Sequence, residues 1–298
     1  MGSEPAAASS IYDLGYRHYD GPHTGRMGTF ATLYTSSVRT AFGLGRRTSS
    51  KIIPFTLAVF AFVPALIQVG VGAITSAGDA DVEIFKHEDY FGYVQIVLVL
   101  FCAAVAPELV GRDQRNRMLS LYFSRALSRV DYALARFAAL TSVMLVLTLG
   151  PQVLLYVGNG LASDDLSGYV ADRWDLVFPI LGGSLLLSAM IASVGLVIAA
   201  FIPRRAYATA VIVGVFVLTF TVGAILMETL DTAYAQYALL ASPAVWDGVI
   251  YFLFRVDTPS ESVLVDASFS GWVYLAAGLV TIAVALGLTI YRFRRVQA

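Results

Sequence analysis

Cysteine and charge are both scarce in this sequence. Cys102 is the only cysteine, so an intrachain disulfide and a thiolate metal site are both excluded. Charged residues make up 14% of the chain and hydrophobic residues 57%, whereas a soluble domain has about 25% charged and roughly 45–50% apolar residues. A chain with so little charge cannot cover itself with polar surface in water. An ordinary soluble domain is therefore excluded.

Motifs that carry catalysis are also missing. The sequence contains no G-x-x-x-x-G-K-[ST] phosphate-binding loop, and its nearest glycine-rich stretch, Gly43–Arg47, lacks the lysine that such a loop needs. The histidines, His18, His23 and His87, do not form the H-E-x-x-H pattern of zinc proteases. The long apolar runs hold almost no ionisable residue at mid-depth, which disfavours proton-coupled transport. We therefore expect no enzyme activity in this chain and no cofactor bound to it.

The sequence does contain six long apolar runs. Each is long enough to cross about 30 Å of hydrocarbon, which takes about 20 residues of α-helix. Backbone groups in hydrocarbon must be paired within their own segment, so each run is predicted to be helical. The predicted spans are Ile52–Ile74, Gly92–Val110, Tyr132–Val157, Leu176–Ile202, Ala206–Met227 and Gly271–Tyr291. The predicted fold is an all-α membrane protein, with a tail at 1–51 and a transmembrane domain at 52–298.

The distribution of charge predicts how the spans are oriented. With the N-terminus in the cytoplasm, all positive residues except Lys86, Arg173 and Arg255 fall on the cytoplasmic side, as the positive-inside rule requires. Acidic residues concentrate in the segments that then lie outside. Both termini are therefore predicted to be cytoplasmic. The first span is expected to act as the targeting signal, because no shorter apolar run precedes it.

One further apolar stretch, Ala238–Phe254, is interpreted differently. It is shorter than a span and contains Pro243 and Asp247, and an aspartate at mid-membrane costs about 2.5–3.5 kcal/mol. Counting it as a span would also place the C-terminal arginines outside. We expect short re-entrant or interfacial helices on the outer face, within the outer segment 228–270 between spans 5 and 6.

An amphipathic pattern precedes the first span. Residues that suit one face of a helix recur at steps of three and four, namely Phe30, Leu33, Tyr34, Ser37, Val38, Ala41 and Phe42. Arginines lie off this face or at its end, as in helices that lie in the headgroup layer. Two interpretations stay open. The helix is either a simple membrane-surface anchor or an elbow helix that moves the first span when a cytoplasmic partner moves.

The connection between the second and third spans, residues 111–131, is too long for a tight turn. It begins with Arg112, Arg115 and Arg117 and is then largely apolar over Met118–Phe123. Exposed leucine and tyrosine surrounded by arginine are typical of a docking surface. The alternative is ordinary cytoplasmic charge followed by a helix buried under its own bundle.

At these residues the sequence resembles the permeases of the ABC type-2 transporter family. Members carry an acidic residue at the end of the second span, then a glycine and charges, then a pattern close to L-x-L-x-x-S-R-P-x-S-R-x-x-Y. The matching positions are Glu108, Gly111, Arg112, Asp113, Leu119, Leu121, Ser124, Arg125, Ser128, Arg129 and Tyr132. Ala126 stands where the family has proline and Arg136 where it has lysine, so the turn after Arg125 is expected to be looser.

The resemblance implies a multi-pass protein of the bacterial plasma membrane, and Ile11–Pro22 resembles a signature of an actinobacterial branch. Such a permease pairs with a second permease subunit, identical or different, and with separate ATPase subunits that bind ATP and magnesium. The substrate route would lie between the permeases, lined by spans 1, 2 and 5. Membrane lipids are expected partners and nucleic acids are not.

The resemblance also implies roles for single residues in the connection 111–131. Glu108, Gly111 and Tyr132 would form a hinge or structural motif. The residues expected to contact the ATPase are Arg112, Arg117, Leu119, Leu121, Tyr122, Ser124, Arg125 and Arg129.

Three classes of function are open to a chain of this kind. ATP-driven export of a hydrophobic or amphiphilic substrate, such as a drug or a lipid, is the favoured one. A mechanotransmission or membrane-assembly subunit driven by the same kind of ATPase would need a larger outer domain than residues 228–270 provide. An intramembrane enzyme or a channel without an ATPase is disfavoured by the lack of ionisable groups in the spans.

Overall fold

The computed structural model describes residues 25–45, 48–75, 86–116, 118, 119, 122, 127–163, 165–229, 233–259, 262–267 and 269–295. Within these residues the chain is helical, without strands. Six helices are long and apolar enough to span a membrane. The prediction of an all-α protein is confirmed for the described residues, and so is the number of helices able to span a membrane. The segment Ile11–Pro22 lies outside the described residues.

The described helices follow one another along the chain in this order. α1 is Arg26–Ala41, α2 is Ser49–Thr75 and α3 is His87–Ala106, which continues through a π-helical turn at Pro107–Gly111 into the short α4, Arg112–Arg115. Then come α5 (Arg129–Ala162), α6 (Leu166–Asp172), a 3₁₀ turn at Trp174–Leu176, α7 (Val177–Phe201) and α8 (Arg205–Thr229). The last four are α9 (Ala233–Leu240), α10 (Ala244–Phe254), α11 (Leu264–Ala267) and α12 (Gly271–Arg295).

Some spanning helices are longer than predicted. The second begins at His87 rather than Gly92, and the third ends at Ala162 rather than Val157. The sequence prediction stopped where polar residues begin, but these residues can still continue a helix. Glu88 and Asp89 lie in the first turn of α3, where negative side chains are favoured by the positive end of the helix dipole.

The stretch Ala238–Phe254 is divided between two helices. α9 ends at Leu240 and α10 begins at Ala244, after a turn that contains Pro243. The Ser242 hydroxyl stabilises this turn, because it donates to the Leu239 carbonyl at 2.8 Å and accepts from the Ala244 N–H at 3.2 Å. Neither helix reaches the roughly 20 residues that a span needs. Their re-entrant placement stays a prediction.

The core lies where α3, α5 and α7 meet. In their most apolar windows 67%, 56% and 67% of residues are buried, against 28%, 17% and 22% for α2, α8 and α12. The latter three helices are therefore peripheral and present most of their apolar surface outwards. In a membrane that surface faces lipid or another subunit.

Small and hydroxyl-bearing residues allow the central helices to approach closely. A Cβ added at Gly195 of α7 would lie 2.0 Å from the Cys102 Sγ of α3. The Thr148 hydroxyl of α5 and the Ser188 hydroxyl of α7 are 3.2 Å apart and share a hydrogen bond. Membrane helices associate through such close packing and polar pairs, because lipid supplies no hydrophobic drive between them.

Arginine-rich helix ends meet at one end of the bundle. The Gln114 amide donates to the Ala200 carbonyl at 2.9 Å, which joins α4 to α7, and the Arg129 guanidinium donates to the Arg294 carbonyl, which joins α5 to α12. We call this the basic end. It carries Arg112, Arg115, Arg129, Arg204, Arg205, Arg292, Arg294 and Arg295. By the positive-inside rule it is predicted to face the cytoplasm.

Candidate functional site

Ion pairs link several helices at the basic end. Glu108 pairs with Arg205, Asp113 with Arg136, and Asp131 with Arg26. We call these three pairs the basic-end network. Together they connect α1, the π-helical turn, α4, α5 and α8. The acidic residues in this positively charged region thus hold the helices together.

Asp113 and Arg136 form the most buried of these pairs. They are 6% and 4% exposed, and the Arg136 Nη2 donates to the Asp113 Oδ2. The Tyr132 hydroxyl donates to the same Oδ2 at 2.8 Å, and the Arg136 Nη1 donates to the Ser37 Oγ of α1 at 2.7 Å. A buried charge is stable only when it is paired and hydrogen-bonded. This cluster therefore joins α1, α4 and α5 at a single point.

The local structure explains how these side chains come together. Tyr132 and Arg136 are four residues apart on α5, so they lie on the same face of the helix. The Arg136 guanidinium carbon lies 5.2 Å from the centre of the Tyr132 ring, close enough for a cation–π interaction. Asp113 follows the π-helical turn at Pro107–Gly111. Such a turn inserts an extra residue and changes the direction of the side chains that follow it.

Asp131 holds the N-terminal end of α1. The Arg26 Nε and Nη2 donate to its two carboxylate oxygens, both at 2.7 Å. This carboxylate raises the pKa of Arg26, chiefly by accepting these hydrogen bonds. Asp131 also completes a capping box with Ser128, with both hydrogen bonds at 3.1 Å, which fixes the start of α5. Further along α1, the Tyr34 hydroxyl donates to the Ser142 Oγ at 2.9 Å.

Glu108 and Gly111 connect the end of the second span to the start of the fifth. The Arg205 Nη1 donates to the Glu108 Oε1 at 2.6 Å, so the π-helical turn is joined to the first turn of α8. A Cβ added at Gly111 would lie 3.0 Å from the Pro203 carbonyl oxygen. Glycine at this position therefore permits the close approach of the turn between α7 and α8.

The predicted coupling residues are only partly described. Arg117, Leu121, Ser124 and Arg125 lie outside the described residues. Arg112 is exposed, whereas Arg129 is half-buried and donates to the Arg294 carbonyl.

Two of the predicted docking residues contact the bundle instead of lying free on its surface. Leu119 is 4% exposed and belongs to the hydrophobic core. Tyr122 is half-buried, and its ring centre lies 5.7 Å from that of Tyr132. Burial is the main cause of a raised pKa at Tyr122. Leu119 is therefore part of the packed core, and Tyr122 lies partly in the core and partly at the surface.

None of the three ion pairs was predicted from the sequence. Asp113 and Arg136 are 23 residues apart in the chain. Arg26 with Asp131 and Glu108 with Arg205 join residues that are far apart in the chain. A local signal existed for Asp131, because Ser128-x-x-Asp131 has the spacing of a capping box. No local signal identifies Arg26 as the partner of Asp131 or Arg205 as the partner of Glu108, because such pairing depends on how the helices pack.

A groove lies between α2 and α8, which both pack on α3. Ile53 of α2, Ala104 of α3 and Val213 of α8 line it, and its mouth lies at the basic end. These helices are the first, second and fifth spans, which the family resemblance assigns to the substrate route.

No family model matches the chain, and no curated protein matches it. Within the described residues, no group of three or more His, Cys, Asp or Glu side chains could hold a metal ion.

Proposed function

We propose that this chain is the permease subunit of an ATP-driven exporter in a bacterial plasma membrane. Its basic end would face the cytoplasm and receive energy from separate ATPase subunits. Its substrate would be hydrophobic or amphiphilic, such as a drug or a lipid. The observation that supports this proposal most strongly is the basic-end network, which ties the connection after the second span to three other helices.

The network supports mechanical coupling for a physical reason. Asp113 is held by Arg136 of α5, and Arg136 is also held by Ser37 of α1. Separating a buried ion pair costs about 3–5 kcal/mol, so these helices resist moving apart. A force applied to residues 111–131 would therefore be transmitted to α1 and α5, and through Glu108 to α8. A mobile loop could not transmit such a force.

The groove between α2 and α8 is the proposed location of the substrate route. Two permease subunits meeting along this face would enclose it. In this arrangement α1 would be an elbow helix at the cytoplasmic membrane surface. α9 and α10 would form the short re-entrant helices on the outer face.

Co-purification with an ATPase tests the proposal. In a Tyr122→Ala/Arg125→Glu variant, we expect the chain to insert and fold but to lose its ATPase partner. An Arg39→Glu variant is the control, because Arg39 is exposed on α1 and is not a predicted docking residue. The export rate measured in membrane vesicles should decrease in proportion to the loss of bound ATPase. The purified wild-type chain should show no ATP hydrolysis by itself.

Two results would contradict the proposal. If the double variant keeps both the ATPase and full export, residues 111–131 are not the coupling element. The other contradicting result is an ATPase that binds the wild-type chain while no substrate crosses the membrane. That second result would favour the mechanotransmission subunit.

A further inference from the structure

The mouth of the groove between α2 and α8 combines positive charge with an apolar wall. Arg115, Arg204 and Arg205 line its basic end. Arg205 is paired with Glu108, whereas Arg115 and Arg204 form no ion pair with a described acidic side chain. The groove mouth therefore carries two uncompensated positive charges within the described structure.

The wall of the groove is apolar and has room for a ligand. On α8 it is formed by Ala210, Val213, Gly214, Val217 and Leu218. A Cβ added at Gly214 would meet no other atom within 4 Å, so space is open at that level. Val217 and Leu218 are 55% and 63% exposed. At a rise of 1.5 Å per residue, the wall from Arg204 to Leu218 is about 20 Å long, enough to cross one leaflet of a hydrocarbon core that is about 30 Å thick.

We propose that this groove binds an anionic phospholipid of the leaflet at the basic end. The phosphate would lie between Arg115 and Arg204, since arginine recognises phosphate with two parallel hydrogen bonds. The N-terminus of α8 lies at the same place and adds partial positive charge. One acyl chain would lie along Val213, Gly214 and Val217. Lipid binding does not depend on the proposed function, because it needs no ATPase and no transport.

Charge complementarity favours a lipid inside the groove over direct contact between the groove arginines of two copies of the chain. In a twofold-symmetric pair the same surface meets itself. The arginines of one subunit would then approach those of the other, which is unfavourable without an anion between them. The apolar wall in turn favours a lipid over a free anion, which would leave Val217 and Leu218 without a partner.

Lipid titration of the purified chain in detergent tests the proposal. Binding of dioleoyl phosphatidylglycerol and dioleoyl phosphatidylcholine would be compared by native mass spectrometry. We expect one phosphatidylglycerol per chain at concentrations where phosphatidylcholine does not bind. An Arg115→Gln/Arg204→Gln variant should weaken binding by about ten-fold or more, since each arginine contributes about five-fold. An Arg294→Gln/Arg295→Gln variant removes the same charge from exposed positions on α12 and should change binding by less than about three-fold.

A second pair of variants tests the apolar wall. Gly214→Leu fills the groove and should abolish the phosphatidylglycerol site. Gly287→Leu adds the same side chain on α12, where a Cβ also meets no atom within 4 Å, and should leave binding unchanged. Melting temperatures would verify that all variants fold.

Several outcomes would overturn the proposal. If phosphatidylglycerol and phosphatidylcholine bind equally well, the groove does not select an anionic lipid. If the Arg115→Gln/Arg204→Gln and Arg294→Gln/Arg295→Gln variants lose the same amount of lipid affinity, the lipid is attracted only by the general charge of the basic end. Displacement of the lipid by millimolar inorganic phosphate would indicate a site for a free anion. If Gly214→Leu leaves phosphatidylglycerol binding intact, the lipid does not lie along the wall of α8.

Discussion

Arg136 illustrates how one buried side chain can hold several helices together. It lies on α5, pairs with Asp113 of α4 and donates to Ser37 of α1. Its guanidinium also lies over the Tyr132 ring. At 4% exposure it has little access to water, so its charge depends on these partners. Its loss would leave the Asp113 carboxylate buried without an opposite charge.

The first prediction concerns this pair. Arg136→Met should destabilise the protein by about 3–5 kcal/mol, because an uncompensated carboxylate remains buried. Asp113→Leu/Arg136→Met should recover part of this loss, because an apolar pair of similar size leaves no buried charge. Thermal unfolding in detergent measures both effects.

Arg112 provides the control for this experiment. It is adjacent to Asp113 but exposed, so Arg112→Ala should change stability by no more than about 0.5 kcal/mol. If Arg136→Met changed the stability as little as Arg112→Ala, the Asp113–Arg136 pair would have no structural role.

At the scale of elements, α1 is attached to the bundle by polar contacts along its length. Arg26, Tyr34 and Ser37 each contact a side chain of α5. Leu33 and Ala41 are buried. The amphipathic pattern in the sequence thus corresponds to a face that packs on the protein. A helix held in this way can move together with α5.

The second prediction concerns the attachment of α1. Asp131→Asn removes the charge that holds Arg26 and weakens the capping box with Ser128. We expect faster hydrogen exchange of the backbone amides in Arg26–Ala41 and at the start of α5, with no change in α7. Arg39→Ala serves as the control, because Arg39 is exposed. Unchanged exchange in α1 after Asp131→Asn would show that its apolar face alone holds it.

At the scale of the whole molecule, the structure has two chemically different ends. The basic end carries most of the described arginines, whereas the opposite end carries α6, α9, α10 and α11. Near the middle of α8, the ring centre of Phe216 lies 5.3 Å from that of Trp246 and joins α8 to α10. The positive-inside rule assigns the two ends to opposite sides of the membrane.

The third prediction tests this topology with introduced cysteines. Asn116→Cys should react with an impermeant maleimide only after the membrane is opened. Ser163→Cys and Asp257→Cys should react on intact cells, since both positions are exposed at the opposite end. The wild-type chain is the control, because its only cysteine, Cys102, is buried.

Labelling at Asp257 also tests the interpretation of Ala238–Phe254. If Asp257→Cys reacted only from the cytoplasmic side while Ser163→Cys reacted from outside, that stretch would cross the membrane. The six-span topology would then be wrong.

The helical, membrane-spanning character of this protein and its six long apolar helices could be predicted from the sequence. These features are local, because a long apolar run must form its own backbone hydrogen bonds in lipid. Charge composition likewise predicted which helix ends lie together, and the arginines do gather at one end of the bundle. The amphipathic stripe before the first span also proved to be helical in α1.

The pairing of the charged residues could not be predicted from the sequence. The same holds for the burial of Leu119 in the connection 111–131. The partners of Asp131 and Asp113 come from other helices, 105 and 23 residues away in the chain. Leu119 is part of the core although its position in a basic connection suggested a docking surface. The groove between α2 and α8 likewise arises only because both helices pack on α3. Such relations depend on how helices meet in space, which no local pattern of residues specifies.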